Sequence, residues 1–266
     1  MGRTKQLDFE QGESNRRFVT ALARGLDVLT CFKVDEKWLT NTEIARRTGL
    51  PKATIARLAY TLCVLGYLRY STDSGKYALG DSMAALGITM AANIKLRRIA
   101  RPYMQELAEQ CNASVSLGVR HGLTVVYVEN CRSTAPLSLG LDIGAQIPIA
   151  STAMGRALLC VLDTRERERL LHQLRANEPG EWTAQQGALD AAFSHWRQRG
   201  FTMSVREWES DISAVGAAIR LADGNVVAFN VGGPAAKLRR SVLEQDIGPR
   251  LARMVRGLEG LVRNEE

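Results

Sequence analysis

The 266-residue sequence predicts an α+β protein in two parts: a small N-terminal winged helix-turn-helix and a larger C-terminal domain in which helices flank an antiparallel sheet. Three observations carry this expectation. Helical periodicities before residue 66 give way to a short hairpin pattern at 67–79. Strand alternation takes over after Asn112. The excess positive charge is confined to the first third of the chain.

The first part begins with Phe18, Leu22, Leu26, Leu29 and Phe32, whose three- and four-residue steps describe an amphipathic helix. Thr40-Asn41-Thr42-Glu43 forms a capping box, in which the Thr40 hydroxyl serves the Glu43 amide and the Glu43 carboxylate reaches back. That helix ends at Gly49, which tolerates the positive φ of a tight turn. Leu50-Pro51 restarts a helix with Pro51 in the first turn and Ile55, Leu58, Leu62 and Leu65 as its buried stripe. Gly66 stops it. Tyr67–Tyr70 and Lys76–Leu79, joined by the polar turn 71–75, form a hairpin. In a winged helix-turn-helix the second helix of the pair enters the major groove, and its outward side chains meet base edges and phosphates. Those residues here are Lys52, Ala53, Thr54, Arg57 and Tyr60, with Arg69 and Lys76 on the wing. Arg17 and Thr42 complete the set expected to face double-stranded DNA. Arg57 suits bidentate pairing with guanine, Thr54 a thymine methyl or phosphate, and Lys52 a phosphate.

Charge supports this division. The chain carries a formal +7, and residues 16–80 hold 11 Lys or Arg against 5 Asp or Glu, so a polyanion would meet the first part only. Residues 1–15 lack the apolar run of a signal peptide and read as a short flexible arm. No stretch of eighteen apolar residues occurs, so a membrane partner is not expected. The five cysteines are widely spaced and odd in number, which fits reduced thiols in the cytoplasm better than a disulfide framework or metal cluster. His121, His172 and His195 share no spacing that would serve a metal or a catalytic triad, and no GxSxG, HExxH or GxGxxG occurs. No catalytic residue, metal or cofactor is therefore expected. A metabolite-binding module or enzyme with a basic interaction domain stands as the alternative.

Residues 81–101 read as a connecting helix, with Lys95, Arg97, Arg98 and Arg101 opposing the dipole at its C-terminal end and Pro102 opening the next helix. From residue 102 to 266 the pattern is a helix to Cys111, and strands at 114–119, 123–128, 135–141 and 144–149. Helices follow at about 153–162, 164–174 and 189–198, then strands at 201–205, 215–220 and 226–231 and a final helix from about 241.

Two separated motifs resemble the IclR (isocitrate lyase regulator) family of bacterial transcription factors. The first runs Thr42-Glu43-Ile44-Ala45, Thr48-Gly49-Leu50-Pro51-Lys52-Ala53-Thr54, Arg57-Leu58 and Leu65-Gly66-Tyr67. The second places Gly200, Ser204, Glu207, Ala214-Val215-Gly216 and Ile219 at the family's spacing, and departs from it only at Arg220-Leu221. Ala153-Met154-Gly155-Arg156 and Asn230-Val231-Gly232-Gly233-Pro234 are similar to further family segments, and the likeness covers residues 16 to about 256. It implies a GAF-like effector domain, a homodimer through the N-terminal domains or a dimer of dimers, and regulation in either direction. The segment Arg17 to Leu26 is similar to members that govern aromatic-acid breakdown, which implies an aromatic or other small organic carboxylate as effector. Matching the family's pocket implies Leu139, Ile147, Ala153, Met154, Ser204, Ala214, Gly216, Asn230 and Gly232 as effector-binding residues. Ser151 adds a hydroxyl to that set, and Arg206 a guanidinium suited to a carboxylate. Trp208 suits either closure of the pocket or an interface.

Overall fold

The computed structural model describes residues 18–33, 36–93, 95–134, 140–177, 179–180 and 182–264. Arg17 and Leu139 lie outside them, as does most of the strand expected at 135–141. The chain divides into two compact units between Ala92 and Asn93.

The first unit contains α1 (Thr20–Thr30), β1 (Leu39–Thr40), α2 (Asn41–Thr48), α3 (Lys52–Val64), β2 (Leu68–Ser71), β3 (Lys76–Leu79) and nearly all of α4 (Asp81–Asn93). The capping box forms as expected: the Glu43 amide donates to Thr40 Oγ1 at 3.2 Å and the Thr40 amide to Glu43 Oε2 at 2.7 Å. Gly49 closes α2 at φ 70°. Removing the Thr40 hydroxyl leaves an orphan amide at the helix start. Thr40→Ala is therefore expected to cost about 1 kcal/mol of stability, measurable by chemical denaturation. Val28, Leu39, Ile44, Ile55, Ala59 and Leu68 form this unit's core. Two expectations shift. Leu65 is exposed and Ala59 takes its place, because the stripe from Ile55 returns to the same face at 59 and 62. On α1 the buried residue is Val28, while Leu22 and Leu26 are 63% and 53% exposed. The short strand β1 pairs with β3, giving a sheet of order β1-β3-β2 that sequence periodicity did not reveal.

The second unit contains α5 (Lys95–Cys111), β4 (Ser114–His121), β5 (Thr124–Arg132), β6 (Gln146–Pro148), α6 (Ala153–Val161), α7 (Thr164–Asn177), α8 (Trp182–Arg199), β7 (Thr202–Val205), β8 (Ile212–Arg220) and β9 (Val226–Pro234). It closes with α9 (Arg240–Val242), a π-helical turn (Leu243–Ile247) and α10 (Gly248–Asn264). The six strands form one antiparallel sheet of order β6-β5-β4-β9-β8-β7. One face carries Val115, Leu117, Val215, Phe229 and Val231 and packs on α5, the π-helical turn and α10. The other packs on α6 and carries small and polar residues in register: Ser114 and Ser116, Asn230 and Gly232, Ala214 and Gly216, Thr202 and Ser204.

A helix end at Arg101 is not observed. Helix α5 runs through Pro102 to Cys111, so Arg97 and Arg101 sit in its first half instead of at a C-terminus. A proline inside a helix costs about 3 kcal/mol. The helix is held against this by the burial of Leu96, Ala100, Met104, Leu107 and Ala108 and by two ion pairs to Glu129.

Candidate functional site

In the first unit the second helix of the pair turns its expected residues outward. Lys52, Ala53, Arg57 and Tyr60 on α3 are exposed, with Tyr60 71% accessible, and Thr54 is half-buried. Thr42 is exposed at the start of α2. On the wing, Arg69 is exposed and its Nε donates to the Leu79 carbonyl at 3.3 Å, while Lys76 is half-buried. Tyr70 and Tyr77 face each other across β2 and β3 with ring centroids 5.0 Å apart, which stiffens the hairpin. Arg47 plays a different part: it forks onto both Glu36 carboxylate oxygens at 2.7 and 2.8 Å and onto the Cys31 carbonyl, tying the segment after α1 to α2.

In the second unit a narrow cavity of about 20 Å³ lies between the small-residue face of the sheet and the start of α6. Tyr127, Ile147, Thr152, Ala153, Ser204, Trp208 and Asn230 are among its walls. Leu141, Ile212 and Ala214 complete it. An adjoining inner chamber, too tight for a water-sized group, shares Tyr127, Leu141 and Asn230 with it and adds Ser114, Ser116 and Gly232. Of the residues expected at an effector site, Ile147, Ala153, Ser204, Ala214 and Asn230 therefore meet in one cavity and Gly232 in the adjoining chamber. Met154 and Gly216 stand behind this wall. Met154 is fully buried, and a Cβ on Gly216 would come within 2.3 Å of the Ala153 carbonyl oxygen, so this glycine lets α6 seat on the sheet. Ser151 contributes its carbonyl, which accepts from Ser204 Oγ at 2.8 Å.

Arg206 is placed apart from the cavity walls. It sits at φ 59° in the β7–β8 turn, exposed, with its guanidinium donating to the Ser210 carbonyl at 3.0 Å. The basic residue that organises the site is Arg156, which is 4% exposed. Its guanidinium donates to the carbonyls of Ala150 and Met203 at 2.8 and 2.9 Å and pairs with Glu207 at 2.7 Å. Both Arg156 and Glu207 belong to the sequence motifs quoted above, and their pairing gives those motifs a physical purpose. It clamps the turn that carries Trp208, a cavity wall, to the start of α6. Arg220, where the family pattern is broken, closes the β8–β9 turn on the Gly224 carbonyl and ties it to the Val161 carbonyl at the end of α6.

Periodicity did not single out Tyr127, Leu141, Thr152, Ile212, Ser114 or Ser116. Thr152 caps α6 by accepting from the Gly155 amide at 3.2 Å. Burial pushes the Tyr127 phenol up from its ordinary pKa, opposed by hydrogen bonds from Asn230 and Ser116, so the group is a neutral hydroxyl at physiological pH. The five cysteines are free thiols; burial raises Cys160 to about 12 and Cys111 to about 11, which leaves both unreactive as thiolates. Among the described residues no cluster of three or more His, Cys, Asp or Glu side chains suits a metal ion, and no helix is long and apolar enough to cross a membrane.

An exposed helix-turn-helix face joined in one chain to a sheet domain with a narrow, mostly apolar cleft is the layout of a DNA-binding transcriptional regulator. Comparison with known proteins makes the class specific. Residues 88–258 match the model of the bacterial transcriptional regulator IclR C-terminal domain, and residues 21–72 match the IclR helix-turn-helix domain. The chain belongs to the IclR family of transcriptional regulators.

It is 34% identical over 254 residues to the HTH-type transcriptional regulator TsaQ1/TsaQ2 of Comamonas testosteroni, covering 94% of this chain and 91% of that one. It is 30% identical to the Pca regulon regulatory protein of Pseudomonas putida, covering 91% and 83%. The crystal structure of an IclR family transcriptional regulator from Brucella abortus shares 40% identity and superposes with a TM-score of 0.87 over 94% of this chain and 95% of that one. An IclR homologue from Microbacterium hydrocarbonoxydans, solved in complex with 4-hydroxybenzoate, has the same fold at 22% identity, with a TM-score of 0.73 over 92% and 99% of the two chains. The relatives are regulators and not enzymes, and this chain is read in the same way.

Proposed function

We propose that this protein is an effector-responsive, sequence-specific regulator of a catabolic operon, acting in the cytoplasm on operator DNA. Its effector is a small organic acid, most simply an aromatic one, held in the cavity between α6 and the sheet. The observation that carries the reading is the exposure of Lys52 and Arg57 on the second helix of the pair and of Arg69 on the hairpin, all in one compact unit. The cavity in the other unit supports the effector half, with a mostly apolar wall and a few polar groups at fixed places. The homologue solved with 4-hydroxybenzoate supports an aromatic acid. The apolar surface of α1, where Val19, Leu22 and Leu26 are 60%, 63% and 53% exposed, favours pairing of two N-terminal units. A homodimer, alone or doubled, then reads two half-sites about one helical turn apart.

The effector changes operator affinity by binding one arrangement of the DNA-binding pair better than another, a coupling of about 1–3 kcal/mol. The sign of regulation follows from which arrangement the effector favours. The test is binding to the promoter region next to its own gene, followed by fluorescence anisotropy. Arg57→Ala is expected to weaken the specific complex by about 1–3 kcal/mol and to relax base preference at one position per half-site. Unchanged affinity and preference in that variant would take α3 out of the groove.

A further inference from the structure

At about 20 Å³ the cavity of the second unit admits about one water molecule and no organic acid. A ligand held there must first make room, and the walls differ in how firmly they are tied. Tyr127, Asn230 and Ala214 stand on strands paired on both sides. Ala153 opens α6, which the missing side chain of Gly216 lets sit directly on the sheet. The Leu141 carbonyl receives Asn130 Nδ2 and Arg132 Nη2, both at 2.9 Å. Trp208 is held differently. It lies in the turn between β7 and β8, whose own backbone bonds, Arg206 N to the Ile212 carbonyl and Ile212 N to the Glu209 carbonyl, both at 3.0 Å, only close the turn on itself. The far end is anchored where the Ala235 amide donates to the Asp211 carbonyl at 2.7 Å. What draws the tip onto α6 is the Glu207 carboxylate, which receives Arg156 Nη2 at 2.7 Å.

That ion pair is built to part from one side. The Arg156 side chain is 4% exposed and keeps the Ala150 and Met203 carbonyls whatever Glu207 does, whereas the Glu207 side chain is 40% exposed and can withdraw into water. The hinge is already under load: Arg206 sits at φ 59°, a left-handed conformation costly for a residue with a Cβ, and opening the turn can relieve it. We propose that residues 206–210 form a gate on the effector cavity, latched by Arg156 and Glu207, with the Trp208 indole filling the space that the effector ring takes. The inference rests on the effector reading of the cavity. Trp208 packs against the apolar cluster around Ile147 and Met154, so the room it leaves on opening suits a flat ring. A site that binds only when open has an apparent affinity equal to its intrinsic affinity scaled by the open fraction. Weakening the latch or removing the indole therefore tightens binding, where loss of an ordinary wall contact would weaken it.

The experiment has an arm without ligand and an arm with one, both on the full-length parent, Glu207→Gln and Trp208→Ala, each checked for folding by thermal melting. Glutamine keeps an acceptor for Arg156 and removes the charge. Hydrogen exchange followed by mass spectrometry reads the turn itself. Glu207→Gln is expected to speed exchange of the Arg206 and Ile212 amides by about 3- to 10-fold and to leave the β8–β9 ladder unchanged. Unaltered exchange in the turn, or an equal rise across the whole unit, overturns the latch. Calorimetric titration with 4-hydroxybenzoate and the uncharged 4-hydroxybenzamide reads admission. Both probes are expected to bind Glu207→Gln about 3- to 10-fold tighter than the parent, and Trp208→Ala about 10-fold tighter. A gain for the acid alone in Glu207→Gln would mean that the vacated Arg156 charge attracts it, and the gate falls. Equal or weaker binding of the acid by Trp208→Ala overturns the gate as well, since the indole would then be holding the ring. In either case an acid that still binds the parent leaves the effector reading standing. If 4-hydroxybenzoate binds neither the parent nor the variants, the aromatic-acid reading falls and the gate falls with it, whatever the exchange shows. Should Glu207→Gln fail to fold, Trp208→Ala decides.

Discussion

Operator affinity is expected to fall by about 10³- to 10⁵-fold when salt rises from 50 to 200 mM. A dimer of such domains neutralises roughly six to ten phosphates, and each neutralised phosphate releases condensed counterions whose return is favoured by added salt. The basic residues available are Lys52 and Arg57 on α3 and Arg69 on the hairpin, all on the solvent-facing surface, with Lys76 beside them half-buried. They are distinct from Arg47, whose guanidinium is spent on Glu36 and the Cys31 carbonyl. Arg69→Ala should lower the slope of log affinity against log salt by about one per DNA-contacting subunit and weaken all sequences alike. Arg47→Ala should act first on folding stability. Anisotropy titrations of specific and scrambled duplexes across salt separate these effects. A flat salt response would show that this face does not lie on the phosphate backbone.

What the residues disclosed in advance was local. The Thr40–Glu43 box, the Gly49 turn and the outward face of α3 depend on neighbours within four residues, where capping and 3.6-residue periodicity operate. The cavity was legible only where its residues fell inside a family motif, as Ala153, Ser204 and Asn230 do. Tyr127 was hidden by a register shift. Leu117 pairs with Glu129 but the next residue, Gly118, pairs with Tyr127, so Val128 is bulged out of β5. Tyr127 and Asn130, three apart, therefore share a face that strict alternation would deny them. The Arg156–Glu207 clamp was equally invisible, because its partners are 51 residues apart and meet only when α6 seats against β7. Pro102 misled for the opposite reason: a local rule favouring a helix end lost to burial along α5.

Simultaneous loss of Arg97 and Arg101 is expected to destabilise the second unit by about 3–5 kcal/mol, because it strands the Glu129 carboxylate. That side chain is 2% exposed on the sheet face packed against α5, and it receives Arg97 Nε at 2.7 Å and Arg101 Nη1 at 2.6 Å. The two arginines differ in surroundings, at 33% and 58% exposure, so each single replacement leaves the carboxylate one strong partner and its neighbour's amide, Asn130 N, at 3.1 Å. The single variants should therefore lose much less than half of the double variant's deficit, and a double-mutant cycle should show coupling of about 1 kcal/mol or more. Replacing the acid tests the same logic from the other side. Glu129→Leu removes the buried charge and leaves two arginines with access to water, and a buried ion pair replaced by an apolar side chain is often near neutral. The expected order of stability is thus parent and Glu129→Leu close together, the single arginine variants below them, and the double variant far lower. Urea denaturation followed by tryptophan fluorescence gives that order. If Glu129→Leu proves as damaging as the double arginine variant, the charge is not the reason this triad matters, and the helix–sheet contact through α5 depends on the shape of the acid instead.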